Sequence, residues 1–478
     1  MSSRSAQGWV LALASVASLM VSLDSLVVST ALSTIRLDLG ASIGELEWMV
    51  NAYNLSFAVL LMTGAVLGDR FGRRRMFVAG LSLFVAASAA CALSGSARWL
   101  IAARAVQGGG AALVMPLAMT MLSAAFPPER RGRALGIFSS VTGLAVLSGP
   151  VLGGAIAQGL AWQWIFWLNV PIGLLIIPFV LGRIQQSYGP LTALDIPGLS
   201  LVTGAALGIA WGLVRGNSAG WSSLEVIATL AAGIMLTAAF VVWELRSRGP
   251  MLPMRFFRSR AFSSGNAAGF LLFGSLYGSF FFLAQFLQTA QGYGPLGAGL
   301  RLLPSTATLF VVAPIAGALV QQLGERLLVA GGLFLQAVGM TWIALIAEPG
   351  VAYTNLIAPL ILGGMGVSMA MPAAQNAVVS AVAMNDIGKA SGAFNMLRFL
   401  GGVFGVAILA AVFAGAGGYA SAQAFSDGFS PAILGDAALA LAGVIAGLAL
   451  PSQRKGTGAS KVRGAGRPAP DLAGPGSS

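Results

Sequence analysis

The chain has no histidine and a single cysteine, Cys91, in 478 residues. Acid–base catalysis on imidazole and metal centres built from His or Cys ligands are therefore closed to it. Cys91, alone in an apolar run, reads as a packing residue. Charge is scarce as well: Asp, Glu, Lys and Arg make up 9% of the residues, where a soluble chain carries roughly a quarter. There is no phosphate-binding GxxxxGK[ST] sequence, and no loop between the apolar runs is long enough for a soluble catalytic domain. These absences fit neither an enzyme nor a self-contained ATP-driven pump, and no cofactor or metal is expected.

What is abundant is apolar: 57% of the residues are hydrophobic and the mean hydropathy is +0.84, a composition that belongs in a bilayer. Runs of about twenty residues, long enough to span one, fall at about 9–32, 48–68, 76–95, 98–122, 134–158, 164–183, 196–214, 223–244, 263–287, 297–321, 327–347, 354–380, 389–413 and 431–450. The count is fourteen. The first run is expected to stay as an anchor and not to be removed as a signal peptide. The tail 451–478, basic and rich in Gly, Pro and Ser, is expected to be disordered.

The formal net charge of +12 is spread through short loops and forms no single face, so no nucleic acid is expected as a partner. Taking the loops alternately, 21 of the 27 Lys and Arg fall in one set, while the other holds only Arg36, Arg98, Arg215 and Arg301. Positive residues mark the cytoplasmic side. Both termini are therefore expected in the cytoplasm, in a multi-pass protein of a bacterial inner membrane.

Shifted by 256 residues, the chain matches itself: "LIAARAVQGGGAALVMPLA" (100–118) lies over "LIAPLILGGMGVSMAMPAA" (356–374), with Gly108/Gly364, Gly110/Gly366 and Pro116/Pro372 among the identities. A shift of 252 lays "GAVLGDRFGRR" (64–74) over "AGALVQQLGER" (316–326), pairing Gly72 with Gly324 but Asp69 and Arg70 with glutamines. The chain is thus a repeat: an N-terminal six-helix half (1–190), two inserted helices (191–250) and a C-terminal six-helix half (251–450). Paired halves around a central site are how secondary transporters alternate their access.

These stretches resemble motifs of the major facilitator superfamily, and in particular of its fourteen-span drug:proton antiporters. "GAVLGDRFGRRRMF" is similar to the loop motif between spans two and three, "LIAARAVQGGGAA" to the span-four motif, "LSGPVLGGAIA" to the span-five motif associated with antiporters, and "LDSLVVSTAL" to the span-one signature. The resemblance implies an all-α major facilitator fold with fourteen transmembrane helices. It also implies proton-coupled export of drugs, antibiotics or secondary metabolites. A proton-coupled importer or an uncoupled facilitator is the alternative.

Asp24 sits inside the first apolar run, where a charge costs about 2.5–3.5 kcal/mol on insertion scales and therefore calls for a partner or a wet cavity. With span one ended near Leu32, Asp24 lies about 12 Å deep and Arg104, entering from the same side, about 9 Å. Arg104 aligns with Leu360 in the repeat, so the fold itself does not demand it. Asp24 with Arg104 is the expected proton-coupling site and Asp436 the second acid; a static ion pair would use the same first two residues. Gly68, Asp69, Arg70, Gly72, Arg73 and Arg74 are expected to form a conformational latch, or a positive-inside anchor. Gly149, Pro150, Gly153 and Gly154 permit close helix approach and a bend. Substrate-lining candidates are Asn51, Tyr53, Gln107, Trp164, Asn169, Gln285, Gln288, Gln375, Asn376, Asn395 and Arg398, polar groups among aromatics that suit a lipophilic small molecule. A monomer is expected, with protons, substrate and lipid as its partners.

Overall fold

The computed structural model describes residues 3–189, 194–383 and 386–452. The tail from 453 and the linker at 190–193, where the first domain boundary was placed, lie outside the described residues. Among the described residues, fourteen helices are long and apolar enough to cross a membrane: α1 Ser5–Leu39, α2 Ile43–Phe71, α3 Arg73–Ala92, α4 Ala97–Ala125, α5 Arg133–Gly159, α6 Trp164–Arg183, α7 Ile196–Ala219, α8 Leu224–Arg246, α9 Arg260–Thr289, α10 Pro295–Val320, α11 Gln322–Ile346, α12 Tyr353–Ser380, α13 Ile387–Ala416 and α14 Ala422–Leu448. Helices satisfy their own backbone polar groups, which lipid cannot do for them. Serine side chains start several of them: Ser96 accepts from the Trp99 N–H, Ser223 from Val226 and Ser421 from Ala424. Ser42 and Glu45 close a reciprocal capping box at the start of α2.

The helices run further than their apolar cores. α1 continues to Leu39 and α14 begins at Ala422, nine residues before the apolar run. Asp436 therefore lies near the middle of its helix, where the apolar run had put it near one end, and Asp24 is deeper than the span ending at Leu32 had implied.

α1–α6 and α9–α14 form two bundles of like packing, and the internal repeat is visible at the level of single atoms. A Cβ on Gly108 would lie 2.3 Å from the Tyr53 carbonyl oxygen, and one on its counterpart Gly364 would lie 2.2 Å from that of Ser305. Gly110 abuts the Gly80 carbonyl as Gly366 abuts that of Gly332. The same offset of 252 residues relates each pair of contacted carbonyls. Gly72 and Gly324, matched by the same shift, have φ of 102° and 78°, a region that favours glycine and makes the turn after the second helix of each half. α7 and α8 pack on each other, and α7 rests on α2 and α13, so the inserted pair covers one side of the junction between the halves.

Candidate functional site

Asp24 on α1 is buried and forms an ion pair with Arg104 on α4, itself 1% exposed. The other carboxylate oxygen accepts from Gln107 Nε2 and from Asn169 Nδ2, each at 2.9 Å. Gln107 Nε2 also donates to Ser88 Oγ at 2.8 Å, and Arg104 donates to Gln107 Oε1 at 2.8 Å and to the Met49 carbonyl at 3.1 Å. The guanidinium lies over the Tyr53 ring, 4.2 Å from its centroid. One acid thus ties α1 to α4 and α6 directly, and to α3 through Ser88. Low local dielectric makes such a network strong when satisfied and costly when a member is lost.

The second half holds a buried carboxylate on a different helix. Asp436 on α14 is fully buried; Ser275 Oγ on α9 donates to its Oδ2 at 2.8 Å, and Gln336 Nε2 on α11 donates to that serine at 3.1 Å. Its Oδ1 and the Gln336 Oε1 have no hydrogen-bond partner among the described residues.

The glycines of the span-five motif bring α5 against both halves. A Cβ on Gly153 would lie 2.4 Å from the Val27 carbonyl of α1, and one on Gly149 2.9 Å from the Leu26 side chain. On the other flank, Gly154 faces the Pro295 carbonyl of α10, and the Pro150 carbonyl lies 2.2 Å from where a Cβ on Gly299 would stand. Gln158 Oε1 accepts from the Leu296 N–H at 3.1 Å, and Gln288 Nε2 donates across to the Thr30 carbonyl at 2.9 Å. The halves are thereby sealed at the face opposite the termini. Nearer the termini α5 and α10 part, leaving Leu144, Val311 and Ile315 exposed.

Around "GDRFGRRR" the contacts stay within one half. Asp69 pairs with Arg73 at 2.8 Å, and its carbonyl accepts from the Gly189 N–H. Arg74 donates to the Leu181 and Ile184 carbonyls, and its N–H donates to Gln186 Oε1. Arg70 lies over the Phe71 ring, and Gly68 abuts Leu117. In this conformation the cluster straps the segment after α6 to the α2–α3 turn, and these contacts include no acid of the opposite half.

The polar residues taken as substrate-lining do not converge on one cavity. Gln107, Asn169 and Tyr53 belong to the Asp24 network. Asn51 is fully buried, with neither side-chain polar atom partnered among the described residues. Gln285 accepts from the Tyr419 hydroxyl near the sealed face, and Trp164 is 52% exposed on the loop side of α6. At the terminal end Asn376 donates to Glu325, and Gln375 is half-buried beside it. Asn395 donates to the Ser391 carbonyl. Arg398, half-buried, lies between the rings of Phe273 and Phe399, at 4.4 and 5.0 Å, and Phe399 in turn meets Phe57 of the other half at 4.3 Å. This mid-membrane cluster of Arg398 and aromatic rings spans the two halves.

Sequence reasoning missed one embedded acid, Glu47, which is 3% exposed on α2. The apolar run had α2 begin at Trp48. The Ser42–Glu45 capping signature was there to move that start outward.

The profile of the Major Facilitator Superfamily matches residues 14–406. Among curated proteins, the tetracenomycin C resistance and export protein of Streptomyces glaucescens is 34% identical over 399 residues, covering 83% of this chain and 74% of that protein. A cephamycin export protein of Amycolatopsis lactamdurans is 34% identical over 455 residues, covering 94% and 93%. A multidrug resistance protein of Mycobacterium tuberculosis is 33% identical over 397 residues, covering 83% and 74%. Among solved structures, an autoinhibited peptide transporter of the POT family superposes with a TM-score of 0.70 over 93% of this chain and 96% of its own, at 16% identity.

Proposed function

The chain belongs to the major facilitator superfamily, and on that premise we propose that it is a proton-coupled antiporter exporting lipophilic neutral or monocationic drugs, antibiotics or secondary metabolites. The observation that carries the reading is the buried Asp24–Arg104 pair, tied to three helices and placed beside the α5 glycines that seal the halves. The export direction and substrate class rest on the relatives, whose names are those of antibiotic and multidrug export proteins.

The coupling mechanism follows from how Arg104 is held. A proton arriving on Asp24 removes the charge that Arg104 faces, but the guanidinium keeps Gln107 Oε1, the Met49 carbonyl and the Tyr53 ring. Protonation therefore loosens α1 from α4 without stranding a bare buried cation, which is the costly outcome. α1 also packs on the α5 glycines, so its release reaches the seal through Gly149 and Gly153. Asp436 is the second acid for this role. With the termini on the cytoplasmic side, as the charge bias predicts, this conformation is closed to the outside, and the half-buried Arg398, backed by the buried rings of Phe273 and Phe399, offers its guanidinium to an aromatic or polar group of a substrate entering from the cytoplasm.

The deciding experiment places the purified protein in proteoliposomes and imposes a pH gradient. Export of a lipophilic dye should follow the gradient and stop when a protonophore collapses it. Equal rates with and without the gradient would establish an uncoupled facilitator, and proton-driven movement in the opposite direction an importer.

A further inference from the structure

The inserted helix α7 walls a half-open cavity of about 1880 Å³ against α2, α4 and the far end of α13, on the side opposite the α5–α10 seal. That is well above the usual size of a small-molecule pocket, ~300–1000 Å³. Its walls are apolar and aromatic, with Trp48 and Trp211 meeting at 5.8 Å and Leu207, Ile101 and Val106 beside them. One acid in the wall is unanswered: Glu47, whose Oε2 has no hydrogen-bond partner among the described residues. A carboxyl so placed carries its charge only with a donor or a cation beside it and is otherwise the neutral acid, because burying the charge unpaired is expensive.

The other charges around the cavity are occupied or lie in water. Glu45 is held by the Ser42 N–H and hydroxyl, both at 2.9 Å. Arg36 lies 4.1 Å over the Tyr419 ring, and Arg215 pairs with Glu225 at 3.0 Å. Arg98 is exposed at the mouth, where salt screens it. Among the described residues lining the cavity, Glu47 is the one with a buried side-chain oxygen that has no partner, while Arg36 keeps its charge against the Tyr419 ring at the α1 end. An acyl chain alone would fill the space and leave Glu47 unpaired, whereas an aromatic or alkyl cation would satisfy both walls and acid.

We propose that α7 builds a lateral binding site for lipophilic monocations, entered from the membrane, with Glu47 as counter-ion and Trp48 and Trp211 as the aromatic wall. This deepens the export reading by giving cationic substrates a site distinct from the Asp24 network. It rests on that reading for the transport of a captured cation, and on the cavity alone for the binding. The insertion thereby acquires a function, since without α7 the cavity has no outer wall.

The test is equilibrium binding of radiolabelled tetraphenylphosphonium to the full-length protein in nanodiscs with no gradient, which keeps it independent of coupling. Glu47→Gln preserves shape and removes the charge, and Ala102→Trp fills the cavity from the exposed face of α4. Both should weaken binding by about tenfold or more, with thermal midpoints and gel-filtration profiles like wild type. The proposal is overturned if the wild type does not bind the probe, if Glu47→Gln binds as wild type, or if only Glu47→Gln loses binding while the filled cavity binds normally. Displacement of the probe by phosphatidylethanolamine at nanodisc abundance would also overturn it, assigning the cavity to lipid. A failure of proton-driven export with binding intact would sink the antiporter reading and leave this site standing.

Discussion

Asp24→Asn removes one charge from a pair in which Arg104 is 1% exposed. Breaking a buried pair from one side costs about 3–5 kcal/mol when the remaining charge is stranded. Here Gln107 Oε1 at 2.8 Å, the Met49 carbonyl at 3.1 Å and the Tyr53 ring at 4.2 Å stay with the guanidinium. The carbonyl oxygen of the substituted amide can still accept from Gln107 and Asn169. The loss should therefore fall at the low end, about 3 kcal/mol, or a drop in thermal midpoint on the order of 5 °C for a chain of this size. Adding Arg104→Leu removes the stranded cation, and the double variant should regain at least half of that loss, since an apolar replacement of a buried pair is often near neutral. Melting curves of the purified proteins in detergent read the stability, and pH-driven dye export in proteoliposomes reads the coupling. Both variants should be folded and uncoupled. Robust proton-driven export by Asp24→Asn would refute Asp24 as the coupling site, and a double variant less stable than Asp24→Asn would refute the account of how Arg104 is held.

Reporter fusions in the loops at Gly220 and Gly249 should report the periplasm and the cytoplasm respectively; the same side for both would break the two-span insertion. Gly154→Val places side-chain atoms where a Cβ already lies 2.3 Å from the Pro295 carbonyl, so the seal should be held apart, and a thiol probe should label a cysteine placed at Thr30 faster than in the parent protein. Asp69→Asn should slow turnover several-fold while changing stability by less than about 1 kcal/mol, because its pair with Arg73 is partly exposed; unchanged turnover would make the loop only an anchor. If Asp24 alone carries the coupled proton, export of a monocation should respond to the pH gradient and little to voltage, export of a neutral compound should respond to both, and dications should be poor substrates. Efficient dication export that is lost in Asp436→Asn would instead assign a second proton to Asp436.

The architecture was readable because lipid imposes it. A backbone in hydrocarbon must be helical, so counting apolar runs counted the helices, and glycines such as Gly108 and Gly364 kept the repeat register because each faces a carbonyl with no room for a Cβ. The Asp24–Arg104 pair was readable for a related reason: two charges in apolar runs must find partners, and these two entered from one side. The other site residues were less legible. Polarity within a span shows that a residue needs a partner and not which one, so Gln107 and Asn169 read as cavity lining when they are hydrogen-bond donors to Asp24. Glu47 and the depth of Asp436 were hidden because polar residues at helix ends read as loop; Ser42 and Ser421 start those helices in stretches that hydropathy discards. The strap around Asp69 depends on residues 184–189, whose position against α2 no local pattern announces.

Asp24 and Asp436 together say how a duplicated bundle becomes asymmetric. In the first half the acid is on the first helix, with Ser88 on the third and Asn169 on the sixth; in the second half Asp436 is on the sixth, with Ser275 on the first and Gln336 on the third. The same three-helix junction is polar in both, and the carboxylate has changed helix. Only the first half has a cation there, because Arg104 has Leu360 as its counterpart. Charge on Asp24 is thus answered inside the protein, while the Asp436 side chain depends on a serine and has one oxygen unpartnered among the described residues. Two junctions that respond differently to one proton give the halves unequal reasons to move, and rocking two bundles about a shared centre requires that inequality.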